Sequence, residues 1–363
     1  VARFLILILM LSACAPRADA VLRPAAGVTA TETLFVATTR EELPDGQFSA
    51  GRAEDERYLR MAVAIPPDRQ PGELKYPSRR RLDPKTDFFA TGRTDYADQA
   101  QFRAALSHEF ARRPAADREV ILYVHGFNNT FGDGVLRLAQ LAHDFQIAGV
   151  AVHYSWPSAG SALGYEYDRD SQLFARDGLE RLIETVHAAG AQRIVIVAHS
   201  MGGLLTMEAL RQIEIGTPGS VSRLISGVIL ISPDIDVEVF HSQARRIGKL
   251  PQPFAIFVSQ KDRLLFLSAL LSGQDRRLGN IVSADAVADL EVTVIDVTEF
   301  SKGAGHFTAG TSPVLIRLLA RAVELDQAFR GAAARNVGLL PGVLVSVRNA
   351  TELVLSPLSP RPN

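Results

Sequence analysis

The stretch Arg193–Leu205, RIVIVAHSMGGLL, constrains this chain more than any other. The apolar run Ile194–Val197 predicts a short buried strand, and the segment from Gly203 onward predicts a helix. Ala198-His199-Ser200-Met201-Gly202 is left as the turn between them. A serine at the apex of a sharp strand-to-helix turn, flanked two residues away on each side by small residues, is the setting in which a G-x-S-x-G pattern carries meaning. Ala198 stands where the pattern has its first glycine and meets the same steric demand. Such a turn pushes the Ser200 hydroxyl out of the sheet and aims the Met201 N–H at the place where an oxyanion develops. The alternative is an ordinary turn with a solvated serine, and the rest of the chain decides between the two.

The chain around this turn alternates between two periodicities. Leu34–Thr38 and Leu59–Ile65 predict two strands, antiparallel neighbours across the polar DGQFSAGRAEDE. Residues 66–97, with their Pro, Gly, Arg and Asp, read as a long surface loop. Gln99–Arg113 reads as a helix with Phe102, Leu106 and Phe110 on one face. From there, strands at Val120–Val124, Val150–Tyr154, Ile194–Val197, Val228–Ile231, Phe254–Val258 and Val292–Val297 alternate with helices, among them Leu173–Val186. A last helix, capped by Ser312 with Pro313 in its first turn, runs to about Phe329. About eight strands alternating with helices predict an α/β fold, a mostly parallel sheet covered by helices on both faces. Val237–Ile247 is short enough for a small helical cap, and the apolar LLFLSALL, Leu264–Leu271, is either a buried helix face or a wall of an acyl pocket. From Gly331 the chain is rich in Ala, Gly, Pro and Ser; Val343–Val347 and Leu353–Leu355 are weak strand candidates within a partly disordered tail.

The motifs AHSMG at Ser200, VHGFNN at His125, SQKD ending at Asp262 and GAGHF at His306 give this layout its resemblance to the α/β-hydrolase fold, the esterase and lipase superfamily, over Thr31–Phe329. More narrowly, HYSWPSAG (His153–Gly160), GYEYDRD (Gly164–Asp170) and SPDIDVEVF (Ser232–Phe240) are similar to a bacterial α/β-hydrolase family of unassigned substrate. The fold orders its catalytic partners Ser, acid, His. His306 is the histidine that follows both Ser200 and the strand expected to carry the acid. Asp262 follows the strand Phe254–Val258, where the fold places the acid; Asp234 and Asp236 follow the preceding strand and are the alternatives. The resemblance implies Ser200 as nucleophile, His306 as general base and Asp262 as the group that fixes the imidazole tautomer. It implies an oxyanion hole from the N–H groups of Met201 and Phe127, with Gly126 letting the backbone come close and His125 buttressing that loop. His199 is expected to pack and hydrogen-bond within the elbow. The activity implied is hydrolysis of small-molecule carboxylic esters through an acyl-enzyme. A peptidase, a thioesterase, an acyltransferase or a non-catalytic binding module on the same fold are the alternatives.

Composition narrows the classes further. A formal net charge of -1 over 363 residues gives no electrostatic footprint for nucleic acid. No HExxH or paired His/Cys spacing suggests a metal, and no complete dinucleotide or P-loop pattern suggests a cofactor, so none is expected. The single cysteine, Cys14, excludes an internal disulfide framework. Its position is informative: Arg3, the apolar run Phe4–Leu11, then Ser12-Ala13 before it have the form of a secretory signal. Leu11-Ser12-Ala13-Cys14 resembles a bacterial lipobox, which implies cleavage before Cys14, lipid attachment there and membrane association through the N-terminal lipid. Ala15, not an acidic residue, implies an outer-membrane destination facing the periplasm. The expected organisation is therefore a signal peptide over 1–13, a flexible tether over 14–30, a hydrolase domain over 31–330 and a low-complexity tail over 331–363.

Overall fold

The computed structural model describes residues 18, 20–77, 82–271, 273, 276–301, 306–317, 342–347 and 349–355. Cys14 and the signal segment lie outside the described residues. The chain divides into two compact units, one from Val1–Arg69, Leu74–Gln140 and Gly149–Gln192, the other from Gln70–Glu73, Leu141–Ala148 and Arg193–Asn363.

The first unit contains β1 (Ala30–Glu42), β2 (Phe48–Ile65), β3 (Phe89–Tyr96), α1 (Gln99–Ala111), β4 (Glu119–Val124), most of α2 (Phe131–Asp144), β5 (Val150–Ser155), α3 (Tyr165–Phe174) and α4 (Arg176–Ala188). Its strands run in the order β4-β5-β1-β2-β3, parallel from β4 to β1 and antiparallel beyond. Every residue of β5 is buried, as a strand covered on both faces requires. β1 and β2 pair antiparallel as their patterns predict, but the connection is tighter than the polar stretch suggests, since Phe48 already pairs with Glu42. The expected loop over 66–97 holds a strand: β3 pairs with β2 along Phe89–Tyr96. Its apolar signal is confined to Phe88–Ala90, and its outer half, Gly92-Arg93-Thr94-Asp95, is the polar run of an edge strand. Asp98 caps α1 by accepting from the Gln101 N–H, and the buried Phe102 of that helix meets the rings of Phe35, Tyr58 and Tyr96. The single helix expected over Leu173–Val186 is two helices, α3 and α4, that meet at Ala175.

The second unit contains β6 (Arg193–His199), α5 (Met201–Gly216), α6 (Ser220–Leu224), β7 (Gly227–Ile231), α7 (Val237–Ile247), β8 (Phe254–Val258), α8 (Arg263–Leu271), β9 (Thr293–Asp296), α9 (Thr308–Thr311), β10 (Gly342–Val347) and β11 (Ala350–Leu355). The order is β6-β7-β8-β9-β11-β10, parallel throughout except for β10 against β11. Ile231, Phe257, Ile295, Val297, Phe300, Leu315, Leu353 and Leu355 share one buried cluster. That cluster explains why the expected low-complexity tail supplies strands: Leu353 and Leu355 add apolar cover beside β9. Ser312 and Pro313 open a helical run at 313–317 as predicted, with the Leu315 N–H on the Ser312 hydroxyl; its continuation lies outside the described residues.

Eleven strands are thus described where about eight were expected: β3 is new, and β10 and β11 fall on the weak candidates Val343–Val347 and Leu353–Leu355. The architecture is an α/β hydrolase fold with a mostly parallel arrangement of strands. Of the two readings of Leu264–Leu271, the buried helix face holds only in part in α8. Leu264, Phe266, Leu267 and Leu270 are exposed, while Leu265, Ser268 and Ala269 are buried.

Candidate active site

The register of the second unit brings strand ends together. His199 at the end of β6 pairs with Ile231 at the end of β7, and Ile231 pairs with Phe257 of β8. Ligands of open α/β sheets bind beyond such carboxyl ends. Ser200 follows β6 at φ 53°, ψ −123°, a backbone conformation that costs a non-glycine residue ~1–3 kcal/mol. Three hydrogen bonds hold it there: the Ser200 N–H donates to Ile231 O (3.0 Å), and the Ser200 carbonyl accepts from the Gly203 N–H (2.9 Å) and the Asp234 N–H (3.2 Å). Ala198 is fully buried, and a side chain on Gly203 would press on Pro233 at 3.2 Å. Met201 is the first residue of α5, where helix N–H groups point outward without intrahelical partners.

Asp262 and His306 meet. The His306 Nδ1–H donates to Asp262 Oδ2 at 2.8 Å, with the carboxylate side chain fully buried. Asp262 Oδ1 is occupied differently: it accepts the Leu264 and Leu265 N–H groups, each at 3.1 Å, and so caps α8. One carboxylate oxygen fixes the helix and the other faces the imidazole, which leaves His306 Nε2 as the basic nitrogen of the neutral ring. The His306 loop is anchored on both flanks through Ser301, whose hydroxyl contacts Ser259 Oγ (2.7 Å) and Thr308 Oγ1 (3.0 Å). His199 Nε2–H donates to the His306 carbonyl at 3.1 Å, and the two imidazole centroids lie 4.7 Å apart, bringing the histidine loop against the elbow. The alternative acids are engaged elsewhere. Asp234 pairs with Arg277 Nε at 3.1 Å, and Asp236 caps α7 through the Glu238 and Val239 N–H groups.

Phe127 belongs to the first unit, in the loop after β4, with its ring edge-on to Tyr165 at 5.6 Å. Asn129 Nδ2 donates to Phe127 O (2.8 Å) and Gly126 O (3.2 Å), which stiffens the loop. His125 lies under it, stacked on Trp156 at 4.8 Å, with its ring nitrogens against Gly126 O and Trp156 O. Burial pushes the His125 pKa well below the usual histidine range, and the ring packs beneath the loop as a buttress.

The description "Alpha/beta hydrolase of unknown function (DUF900)" matches residues 99–321, more than half of the chain. This chain belongs to that family. The hydrolase is also similar to solved structures: a CIB-like hydrolase from Thermoplasma acidophilum (19% identity over 59% of this chain and 89% of that one, TM-score 0.37), an esterase from Pyrobaculum calidifontis (12%, 90% and 90%, 0.37) and Thermogutta terrifontis esterase 2 (13%, 86% and 100%, 0.39). No curated protein matches it. Among the described residues no helix is long and apolar enough to cross a membrane, and no cluster of three or more His, Cys, Asp or Glu side chains could hold a metal ion.

Sequence reasoning left the HYSWPSAG and GYEYDRD motifs without a role, and the hydrolase uses them to build the first unit's loops. Asp168 accepts from the Asn128 N–H (3.0 Å), Ser158 Oγ (2.6 Å) and the Ala159 N–H (2.6 Å). Burial raises its pKa against these bonds. Arg40, fully enclosed in β1, donates to Ser155 Oγ, Ser49 O, Ser158 O and Asn129 O at 2.7–3.1 Å. Burial pulls its pKa down to about 10. Arg40 was missed because it lies past the expected strand Leu34–Thr38, in the polar run Thr38-Thr39-Arg40-Glu41-Glu42, where an arginine reads as a solvated side chain.

Proposed function

We propose that the chain is a serine hydrolase of carboxylic esters. Ser200 Oγ attacks the acyl carbon while His306 Nε2 takes its proton; the imidazolium then protonates the departing alkoxide. Water, deprotonated by the same nitrogen, cleaves the acyl-enzyme and restores the serine. Asp262 holds the ring in the productive tautomer and stabilises its charged form without accepting the proton. Met201 N–H, at the start of α5, is the donor for the developing oxyanion, and Phe127 N–H is the second donor that the sequence assigns. The observations that carry this reading are the 2.8 Å Asp262–His306 bond, the His306 carbonyl held by His199, and Ser200, the residue after His199, at positive φ. A binding module has no use for a strained serine or for a buried carboxylate divided between a helix cap and an imidazole.

The test is a fluorescent alkyl phosphonate followed by a panel of p-nitrophenyl esters. Labelling of wild type and not of Ser200→Ala, with ester turnover, is the expected result; absence of label on folded wild type ends the reading. Anchoring in the cell envelope is part of the same proposal. It is supported by the lipobox-like Leu11–Cys14, and it predicts that an alkyne fatty acid fed to cells enters the protein and is lost in Cys14→Ser.

A further inference from the structure

α8 carries Asp262 at its cap, yet little apolar burial sets the angle at which the helix lies. Its buried positions are Leu265, Ser268 and Ala269, and four larger apolar side chains face outward. The polar contact on the buried side is specific: Ser268 Oγ donates to Asp234 Oδ1 at 2.6 Å. The same oxygen pairs with Arg277 Nε at 3.1 Å, and Arg277 Nη2 reaches the Ser268 carbonyl at 3.5 Å. Asp234, Ser268 and Arg277 are each more than nine-tenths buried.

The pair also reaches the nucleophile's turn. The Asp234 backbone N–H donates to the Ser200 carbonyl, one of the bonds that hold the serine in its strained conformation. The strand of chain after Arg277 laces the remaining ends together: Leu278 N–H to Ile235 O (2.8 Å), Gly279 N–H to Pro233 O (3.0 Å), and Ser259 N–H, on the approach to Asp262, to Gly279 O (3.0 Å). Gly279 is required for this closeness, because a Cβ there would sit 2.6 Å from the Ser232 carbonyl carbon.

We propose that the buried Asp234–Arg277 pair is a positioning element for the triad, registering the Asp262 helix against the Ser200 elbow through Ser268 and the Asp234 backbone. It rests on the serine-hydrolase reading above. A buried ion pair is weak evidence for stability, and fixing one arrangement among several is the role it serves best. An acid displaced by a fraction of an ångström loses its line to His306, and misplacements of ~1 Å cost on the order of 10²-fold in rate.

The test uses the full mature chain carrying Asp234→Asn, Arg277→Met, Ser268→Ala and the conservative Arg277→Lys. Ser268→Ala leaves the ion pair in place and guards against variants that fail to fold. In folded protein the first three are expected to lower kcat by about 10–100-fold with KM within about twofold, and to slow phosphonate labelling by the same factor. Arg277→Lys is expected to recover part of the loss. The downfield proton signal of the His306 Nδ1–H bond is expected to shift or broaden in the first three variants. Unchanged kcat and an unchanged signal in folded Asp234→Asn and Ser268→Ala overturn the proposal, as does a rate loss that only tracks the unfolded fraction. If wild type takes no label, the serine reading has failed, and the His306 signal alone still decides whether the pair sets the acid.

Discussion

Replacing Asp262 by asparagine separates the two tasks of one carboxylate. Oδ1 accepts two helix N–H groups at 3.1 Å, and Oδ2 accepts the His306 Nδ1–H at 2.8 Å. Asparagine offers a single acceptor oxygen, and the helix N–H groups can be met only by an acceptor. The amide oxygen therefore takes the cap and the NH₂ group turns to His306, where it demands a lone pair on Nδ1. The ring proton moves to Nε2, and the nitrogen that should take the Ser200 proton is already occupied. The expected loss is ~10⁴ in kcat, the order seen when a triad aspartate is so changed, or about 5.5 kcal/mol of transition-state stabilisation. Stability should barely move, because the cap survives and only the charge at the helix start, worth ~0.3–1 kcal/mol, is lost. Asp262→Ala loses the cap as well and should cost a further ~0.5–2 kcal/mol in urea unfolding with a comparable rate loss. Hydrolysis of a p-nitrophenyl ester, phosphonate labelling and urea titration of the two variants give the three numbers. An Asp262→Asn enzyme within about tenfold of wild type would refute the tautomer argument, and a collapse of its stability would refute the division of the carboxylate.

The remaining predictions concern the first unit. Burial lowers the His153 pKa to about 3 and that of His125 well below the usual value, whereas in the unfolded chain both return to the ordinary histidine range. Each contributes stability that is complete above the ordinary histidine pKa and is lost as pH falls below it; for His153 the loss between pH 8 and pH 5.5 is about 1 kcal/mol. Glu56 and Asp168, raised by burial, act in the opposite direction, so the histidine share is read as the difference between wild type and His153→Asn in urea titrations at the two pH values. Gly134→Ala drives a methyl into the His153 ring and should lower stability by ~1–3 kcal/mol, measured by thermal unfolding. Arg40→Met leaves the buried carbonyls of Ser49, Ser158 and Asn129 without their donor, and a loss of ~1–3 kcal/mol in urea unfolding is expected; an unchanged stability would refute the role given to the guanidinium.

Which parts of this molecule were legible in the sequence follows from how far each signal reaches. The elbow is written within a dozen neighbouring residues, as an apolar run, small residues around a serine and a periodic helix, so its form and place were read directly. The parallel strands β4 to β9 are short apolar runs, each readable by itself. β3 and β11 were harder, because an edge strand buries one or two side chains and borrows its remaining order from a partner: Phe89 and Leu353 mean little until β2 and β9 are beside them. The choice among Asp262, Asp234 and Asp236 was open for the same reason. All three follow strand ends; Asp236 is told apart by the neighbouring Glu238 and Val239 N–H groups that it caps, whereas Asp262 and Asp234 are told apart only by the distant partners His306 and Arg277.

α8 carries that logic one step further. RLLFLSALL is apolar on nearly every side, so periodicity has no preferred face to report, and total hydrophobicity favours burying the leucines. The helix instead turns its serine inward. A hydroxyl buried beside a carboxylate and a guanidinium has a strong and directional partner, whereas a leucine gains similarly from any apolar neighbour. The hydroxyl therefore weighs, with Leu265 and Ala269, in which face is inside, and a rule that counts apolar positions weighs it least. Ser268→Leu, a change that such a rule favours, should accordingly lower both stability and the rate of Ser200 labelling, since it sets an apolar group against Asp234 in the position that orients Asp262.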